Sequence, residues 1–319
     1  MSFESDSGDR ISTDVVVPFA LDERDVTGRV TRLSAIVNDI LGRHDYPDLV
    51  SALLGQALAM TALLGSMMKS EGIFTLQAKG DGPINLLVTD FVAAAGADGA
   101  ISIGGILRGY ARYDEDAVAA LDAGESDLQR LMGKGYLAFT LDQGEDTERY
   151  QGIVSLEGQT LDDCARNYFE NSEQIPAEIV SYCGKLSDDA DGPRWSAGSI
   201  MIRHLPATGG RARTRTPEQR TEDWSHSKIL LSSLRRDELL DPALPLHDLL
   251  FRLYHEDGVR VFSPAHLGLG CRCSRERLET VIRTFSPEDR AHMMVNGVIS
   301  AICEFCKTEY VFNPADFEN

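Results

Sequence analysis

The composition of this 319-residue chain excludes several classes of protein. It has 31 Lys and Arg residues against 50 Asp and Glu residues, a formal net charge of −19, and 43% hydrophobic residues. This excess of acidic residues opposes binding to a polyanion, because affinity for phosphates rests mainly on Lys and Arg that displace counterions, and we therefore expect no nucleic-acid partner. The hydrophobic content is sufficient for two or three domains, each with its own core. The first residues lack the basic start and apolar core of a signal peptide, which predicts a cytoplasmic protein with reduced cysteines.

The first 206 residues alternate between extended and helical patterns, which predicts an α+β domain, an α/β sandwich-like core. The predicted strands comprise residues 14–19, 73–79, 84–90, 99–103, 106–113, 135–142, 150–156 and 199–205. The predicted helices comprise residues 26–41, 49–68, 114–127 and 161–171. The turn Gly80-Asp81-Gly82-Pro83 lacks both glycine-rich phosphate motifs, so we interpret it as a tight hairpin.

Residues 49–68 form an uncharged stretch that is long enough to span a bilayer. Ser51, Gln56, Thr61 and Ser66 interrupt its apolar character, and two glycines lower its helix propensity. It is also the only such stretch in a strongly charged chain. These features favour a buried helix of a protein that does not enter a membrane, with a transmembrane helix as the alternative.

A change in composition marks a boundary after residue 206. Residues 207–218 are rich in Gly, Arg, Thr and Pro without apolar periodicity, which is typical of a linker. Residues 224–254 are helical in pattern, but Pro242 and Pro245 divide them into short helices that need tertiary packing. The sequence thus predicts a core domain at 1–206, a linker with metastable short helices at 207–262, and a C-terminal lobe at 263–319.

Four of the six cysteines lie in that lobe. Cys271 and Cys273 form a C-x-C pair, and Cys303 and Cys306 form a C-x-x-C pair. Two short thiol pairs can supply the four tetrahedral ligands of Zn²⁺, and four thiolates leave no position for a reactive water. We therefore predict one structural zinc ion per chain, with four unrelated free thiols as the alternative. The remaining two cysteines, Cys164 and Cys183, are isolated, and burial in apolar surroundings is expected for them.

The residue pattern between and after the two thiol pairs predicts that the C-terminal lobe, residues 263–319, is folded. Apolar spacing indicates a helix over residues 274–285 with Ser274 as its N-cap, and a second short helix follows Ser286. Residues 298–302 read as a strand that pairs with residues 310–312. A lobe of this size cannot rely on its apolar core, so metal binding must supply much of its folding energy.

Several motifs, in order, resemble the redox-regulated holdase chaperone of bacteria, the thirty-three-kilodalton heat-shock protein family. The resemblance extends over nearly the whole chain. It rests on Gly80-Asp81-Gly82-Pro83 with Leu86 and Leu87, Arg108-Gly109-Tyr110-Ala111-Arg112, Tyr150-Gln151-Gly152-Ile153-Val154, Tyr168-Phe169 with Ser172-Glu173-Gln174, and the two cysteine pairs with their long spacing. One departure is Leu269-Gly270 before Cys271, where family members often have an aromatic residue; it affects lobe packing and leaves the four ligands intact.

The resemblance implies an ATP-independent chaperone that is not an enzyme. Such a protein is inactive when reduced and zinc-bound, and on oxidation it forms disulfides, releases zinc, partly unfolds, dimerises and binds unfolding proteins. Thiolates both bind zinc and react with oxidants, so one set of sulfurs can serve both states. Four cysteines allow three disulfide connectivities. Proximity in the sequence favours Cys271–Cys273 and Cys303–Cys306.

Three other functions fit parts of the pattern. A zinc-ribbon module for nucleic acid would need a basic face, which the net charge disfavours. A thiol oxidoreductase would use Cys303 and Cys306, but its motif should open a helix after a strand and needs no second pair. A zinc deaminase would need a H-x-E motif, which the sequence lacks.

Overall fold

The computed structural model describes residues 13–93, 103–144, 147–187, 192–205 and 216–317. Its contacts divide the chain into two compact units, Met1–Leu269 and Gly270–Asn319. The first unit is an α+β structure, as predicted, in which one large sheet carries helices on its two faces. The second unit is a small lobe with its own apolar cluster and a separate sheet.

Strands supply most of the regular structure in the first unit. They are β1 Val15–Leu21, β2 Val26–Leu33, β3 Gly72–Gly80, β4 Ile84–Ala93, β5 Ile103–Tyr113, β6 Gly135–Asp142, β7 Tyr150–Ser155, β8 Ala177–Leu186, β9 Arg194–His204, β10 Val259–Val261 and β11 Ala265–Leu269. The helices are α1 Ala35–Gly42, α2 Asp48–Gly65, α3 Glu115–Ala119, α4 Leu128–Met132, α5 Leu161–Tyr168 with a π-helical turn at Phe169–Glu173, α6 Pro217–Ser232, α7 Arg236–Leu240 and α8 Leu246–Tyr254 with a 3₁₀ turn at His255–Asp257.

The strand order of this sheet is β7-β6-β3-β4-β5-β11-β1-β2-β9-β8, and β10 also pairs with β1. Most neighbouring strands are antiparallel, but β11 runs parallel to β5 and antiparallel to β1. Strand β11 therefore joins two antiparallel halves of the sheet. It ends at Leu269, two residues before the first cysteine of the C-x-C pair.

Helix α2 is the centre of the first unit. It contacts strands from both halves of the sheet, including β2, β3, β4, β5, β8 and β9, so the sheet curls around it. Leu54, Leu58 and Leu63 are fully buried there. The helix is apolar enough to cross a membrane by composition, but 78% of its 18-residue window is buried within the fold. The prediction of a buried core helix is confirmed.

Helices α6 to α8 cover the opposite face of the strands β1, β2 and β9. They form a second apolar cluster with that face, in which Leu239, Leu249 and Leu250 are fully buried. Phe19 of β1 stacks on Tyr254 with ring centroids 5.9 Å apart. Helices α7 and α8 have only five and nine residues, so their stability depends on the leucines that they bury against the sheet.

Arg32 of β2 anchors α7 to the sheet. Its side chain is buried, and its guanidinium donates hydrogen bonds to the carbonyl oxygens of Leu239 (2.7 Å), Leu244 (2.6 Å) and Glu238 (3.0 Å). Burial lowers the pKa of Arg32 to about 10, so it remains charged at neutral pH. Charge-assisted bonds in a dry site are stronger than neutral ones, which makes this arginine a main link between α7 and β2.

The predicted helix at residues 26–41 is wrong over its first half. Residues 26–33 form strand β2, which pairs along its full length with β1 and β9. Only Ala35–Gly42 is helical. The apolar spacing was ambiguous because the buried Arg32 occupies a position where an alternating strand pattern would place an apolar residue. The tertiary hydrogen bonds of Arg32 decided the outcome, and sequence periodicity contains no sign of them.

The other predictions for the first unit agree with the structure in part. The Gly80-Asp81-Gly82-Pro83 turn links β3 to β4, and the Gly82 N–H donates to the Met132 carbonyl at 2.8 Å. A Cβ on Gly80 would lie 1.9 Å from that same carbonyl oxygen, so the turn requires glycine. The predicted acidic helix at 114–127 is shorter, since only Glu115–Ala119 is helical. The predictions for residues 99–102 and 207–215 lie outside the described residues.

The second unit contains the elements predicted for it. They are helix α9 Arg275–Arg283, helix α10 Pro287–His292, strands β12 Met294–Val295, β13 Val298–Ile302 and β14 Glu309–Phe312, and a 3₁₀ turn Pro314–Phe317. The Ser274 side chain caps α9 by accepting from the Arg277 N–H, and β13 pairs with β14. Its buried cluster has only four members, Ile282, Ile299, Phe312 and Phe317.

We predict that Arg32→Ala destabilises the first unit by about 2–4 kcal/mol, because three carbonyls, one of them buried, lose a charged donor and a cavity replaces the side chain. Urea unfolding monitored by circular dichroism measures the change. The matched control is Arg149→Ala, whose side chain is 67% exposed and pairs with Asp142. A surface pair of this kind should change stability by about 0.5 kcal/mol or less. Equal stability of the two variants would contradict the anchoring role of Arg32.

Candidate metal centre

The four clustered cysteines predicted from the sequence come together in the second unit. The Sγ atoms of Cys271, Cys273, Cys303 and Cys306 all lie within 4.8 Å of one another. Two of these separations join the two pairs, at 3.7 Å between Cys271 and Cys303 and 3.4 Å between Cys273 and Cys306. No other group of three or more metal-ligand side chains is found among the described residues.

Local backbone structure brings each thiol pair into position. The C-x-x-C pair occupies a tight turn between β13 and β14, in which the Lys307 N–H donates to the Cys303 carbonyl at 2.8 Å and the Cys303 N–H donates to the Thr308 carbonyl at 3.0 Å. Lys307 adopts a φ of 57°, so the turn contains a left-handed residue. The C-x-C pair precedes α9, and its short spacing places both sulfurs beside this turn.

Two hydroxyl groups next to the cluster were not predicted from the sequence. The Thr308 hydroxyl lies 3.2 Å from the Cys306 sulfur, and the Tyr310 hydroxyl lies 3.3 Å from the Cys273 sulfur. Thr308 and Tyr310 follow the C-x-x-C pair at alternate positions of the returning chain. Hydroxyl residues at that spacing are the available signal. The sequence predicts that residues 310–312 pair with residues 298–302, but it does not show that these two hydroxyls lie next to the sulfurs.

The surroundings of the sulfurs change their acidity in opposite directions. Partial burial and the neighbouring thiols raise the pKa of Cys273 to about 12, despite its contact with Tyr310. Partial burial also acts to raise the pKa of Cys306, but hydrogen bonds from the Thr308 hydroxyl and backbone N–H, together with the neighbouring thiols, lower it to about 6. The metal-free cluster thus retains protons that metal binding must release.

The arrangement fits a tetrahedral zinc ion. A Zn–S distance of about 2.3 Å places the sulfurs of a regular tetrahedron about 3.8 Å apart. Two separations between the pairs, 3.7 Å and 3.4 Å, are close to that value, and all sulfur–sulfur separations are within 4.8 Å. Four sulfur donors match the preference of a borderline-soft cation, and a closed set of four is typical of structural rather than catalytic zinc. The cluster is therefore compatible with zinc.

The remaining two cysteines belong to the first unit and are buried, as the sequence predicted. Cys164 on α5 and Cys183 on β8 are buried in the core of the first unit. Burial raises the pKa of the Cys164 thiol to about 11 and that of Cys183 to about 12. Neutral buried thiols react slowly with oxidants, because the thiolate is the nucleophile.

Among protein-family models, the model described as Hsp33 protein matches residues 14–313 of this chain. The chain belongs to the Hsp33 family. The resemblance deduced from the sequence motifs is confirmed, and it covers most of the chain. An Hsp33 protein is a chaperone, so this chain has a chaperone role and is not an enzyme.

Curated relatives agree with this assignment. The 33 kDa chaperonin of Caulobacter vibrioides (strain NA1000 / CB15N) is 40% identical over 304 residues, which cover 94% of this chain and 95% of the relative. The 33 kDa chaperonin of Pseudomonas fluorescens (strain SBW25) is 36% identical over 306 residues, which cover 95% and 92% of the two chains. The crystal structure of the Hsp33 homologue from Thermotoga maritima shares the fold, with a TM-score of 0.76, 22% identity, and coverage of 96% and 97% of the two chains.

We predict that the reduced Hsp33-family protein holds one zinc ion through the four clustered sulfurs. Cys303→Ser and Cys271→Ser should each lose most of the bound zinc, because serine replaces a thiolate ligand by a neutral hydroxyl. Zinc per chain is measured by atomic absorption after gel filtration. Cys164→Ser and Cys183→Ser are the matched controls and should retain the metal. Full occupancy in Cys303→Ser would show that the ligand set is wrong.

Proposed function

We propose that this chaperone is an ATP-independent holdase controlled by the redox state of its four clustered cysteines. The cluster of four sulfurs within 4.8 Å is the observation that supports the proposal. In the reduced state Cys271, Cys273, Cys303 and Cys306 would hold one zinc ion and keep the chaperone inactive. The same sulfurs would react with an oxidant, and client binding would follow.

Zinc would stabilise the second unit in the reduced state. Only four apolar side chains are buried in its core. Structural zinc in comparable sites contributes on the order of 10–16 kcal/mol at neutral pH, which exceeds what so small a core supplies. Loss of the metal should therefore unfold much of this unit, as in other small zinc modules.

Oxidation would remove the metal ligands chemically. With hypochlorous acid, a thiolate attacks chlorine to give a sulfenyl chloride and hydroxide, and a second thiolate displaces chloride to form the disulfide. Two sulfurs are oxidised in each cycle and the oxidant is reduced to chloride, so two equivalents of oxidant form two disulfides. We propose the pairs Cys271–Cys273 and Cys303–Cys306. Disulfide sulfurs no longer offer the thiolates that hold the ion.

The segment 207–262 would unfold together with the C-terminal lobe, while the core domain 1–206 stays folded. Helices α7 and α8 are short, and all three helices α6 to α8 bury leucines against β1, β2 and β9. Their melting would uncover the apolar residues of that sheet face, among them Val17, Phe19 and Ile202. An exposed apolar surface of this kind is suited to unfolding client proteins, which expose apolar segments of their own.

The wider properties of the protein follow from the same proposal. We propose that the oxidised form is a homodimer and that the protein acts in the cytoplasm, where a reducing environment keeps the cysteines metal-bound until stress. The acidic net charge of −19 argues against a nucleic-acid partner. The burial of α2 within the fold argues against membrane insertion.

The geometry disfavours a thiol oxidoreductase. A redox C-x-x-C motif opens a helix, whose N-terminus stabilises the attacking thiolate. Here Cys303 follows strand β13, and Cys306 lies in a turn before strand β14, so no helix begins at the motif. The C-x-C pair lies in the same cluster as the C-x-x-C pair. An oxidoreductase needs only the C-x-x-C pair, so its activity would not explain the other two cysteines.

We predict that the oxidised, zinc-free protein suppresses aggregation of an unfolding client and that the reduced, zinc-bound protein does not. Light scattering of thermally unfolding citrate synthase without ATP measures chaperone activity, and a zinc-binding dye measures released metal in the same sample. Cys183→Ser should retain the redox response because its thiol is outside the cluster. Equal suppression by both redox forms would contradict redox control while leaving the chaperone role intact.

We also predict that oxidation exposes the backbone of the segment 229–253. Hydrogen exchange of reduced and oxidised protein should show reduced protection there, because these helices lose their packing. Protection should persist over residues 15–156, which serve as the internal reference. If amides 229–253 remain equally protected after zinc release, the linker segment is not part of the switch.

A further inference from the structure

A cavity in the first unit contains two arginines that converge on its interior. The cavity has a volume of about 190 Å³, and Arg29 of β2 and Arg203 of β9 line it. Pro18, Met67, Met201 and Phe262 supply apolar surface around them. All of these residues belong to the first unit, and the four clustered cysteines have no part in the cavity.

Strand register explains why the two arginines meet. Arg29 lies opposite Pro18 on β1 and Met201 on β9, while Arg203 lies opposite Thr27. Residues that face each other across antiparallel strands project from the same face of the sheet. Arg29 and Arg203 are therefore diagonal neighbours on one face, within reach of each other's long side chains. This face is opposite to the one that carries Arg32 and helices α6 to α8.

The electrostatic environment of Arg29 is unusual for so acidic a protein. Among the described residues, no carboxylate pairs with Arg29, and its guanidinium makes no hydrogen bond. Burial and the positive charge of Arg203 lower the pKa of Arg29 below its usual value. Arg203 contacts the Thr27 hydroxyl at 3.3 Å. Two like charges thus share a partly enclosed site although the chain has 50 acidic residues.

Partial burial of two cations with no acid partner among the described residues raises the free energy of the folded protein. A bound anion would lower it, because it supplies the opposite charge. Arginine is well suited to bind a carboxylate or phosphate, since its planar group donates two parallel hydrogen bonds. The apolar wall offers room for a hydrophobic body, and a cavity of about 150 Å³ already holds a benzene ring. Phe262 is 44% exposed and stands at the rim, where Arg260 stacks on its ring.

We propose that this cavity binds a small organic anion in which a carboxylate or phosphate is attached to an apolar body of about one ring. Arg29 and Arg203 bind the oxyanion, and the Thr27 hydroxyl supports Arg203. Met67, Met201 and Phe262 contact the apolar part. The site is separate from the metal centre, so it does not depend on the redox proposal.

The test uses the reduced full-length protein with its methionine methyl groups labelled with carbon-13. Phenyl phosphate and phenylacetate are titrated separately and distinguish the two oxyanions. Inorganic phosphate and 2-phenylethanol test the charged and apolar halves of the ligand. Binding should shift the methyl signals of Met67 and Met201, with saturation, for at least one of the two aromatic anions. Met293 and Met294 of the second unit are internal references and should not shift.

The decisive variant is Arg29→Met, which keeps the apolar stem of the side chain and removes the charge. We expect at least tenfold weaker binding of the aromatic anion, because one charge-assisted bidentate contact is lost. Without ligand, the variant should be as stable as the parent or more stable, whereas loss of a purely structural arginine would lower the melting temperature. Arg149→Met removes one exposed positive charge elsewhere and should bind like the parent.

Three results would overturn the proposal. The first is the absence of a saturable shift at Met67 and Met201 with both aromatic anions at 10 mM, a concentration on the order of that at which weak millimolar sites saturate. The second is unchanged binding in Arg29→Met. The third is that inorganic phosphate or 2-phenylethanol binds as tightly as the aromatic anions, since the ligand class requires both halves.

Discussion

The second unit depends on the convergence of four thiols from two separate segments. Among the described residues of this unit only four apolar side chains are buried, which is few for a unit of fifty residues, so we expect the chemistry of the sulfurs to decide whether it is folded. A structure that relies on one chemical bond type responds sharply when that bond type is removed. An apolar core lacks this property, because no common oxidant converts it into something else. The redox control that we propose requires this dependence on the sulfurs.

Strand β2 shows how one short segment can carry two different roles. Its Arg32 faces α7 and has three carbonyl partners, whereas Arg29 faces the opposite side and has no acid partner among the described residues. The first arginine is saturated by the protein and contributes to packing. The second leaves its hydrogen-bonding capacity available to a ligand. The difference arises from strand alternation, since residues three apart lie on opposite faces of a sheet.

The sequence predicted the second unit better than parts of the first. Helix α9, its Ser274 cap, helix α10 and the β13–β14 pair all follow local rules of spacing and capping, and all are present. The four thiols were identified because paired spacing is a strong local signal. Residues 26–33 were misassigned because a buried arginine is stabilised by carbonyls more than 200 residues away in the chain. Thr308, Tyr310 and the Arg29 cavity were missed for a different reason: they depend on where side chains lie in three dimensions, which spacing in the sequence does not reveal.

Strand β11 gives the topology a consequence for biosynthesis. It is the last strand of the first unit in the sequence, yet it occupies a central position between β5 and β1. During translation, the two halves of the sheet can form before β11 has left the ribosome, but the edge at β5 and the part of the β1 edge that β10 does not pair stay open until residues 265–269 are made. Such edges are sites of aggregation. Until the segment just before Cys271 takes its place between β5 and β1, the nascent chain of this chaperone exposes unpaired strand edges, as an unfolding client protein does.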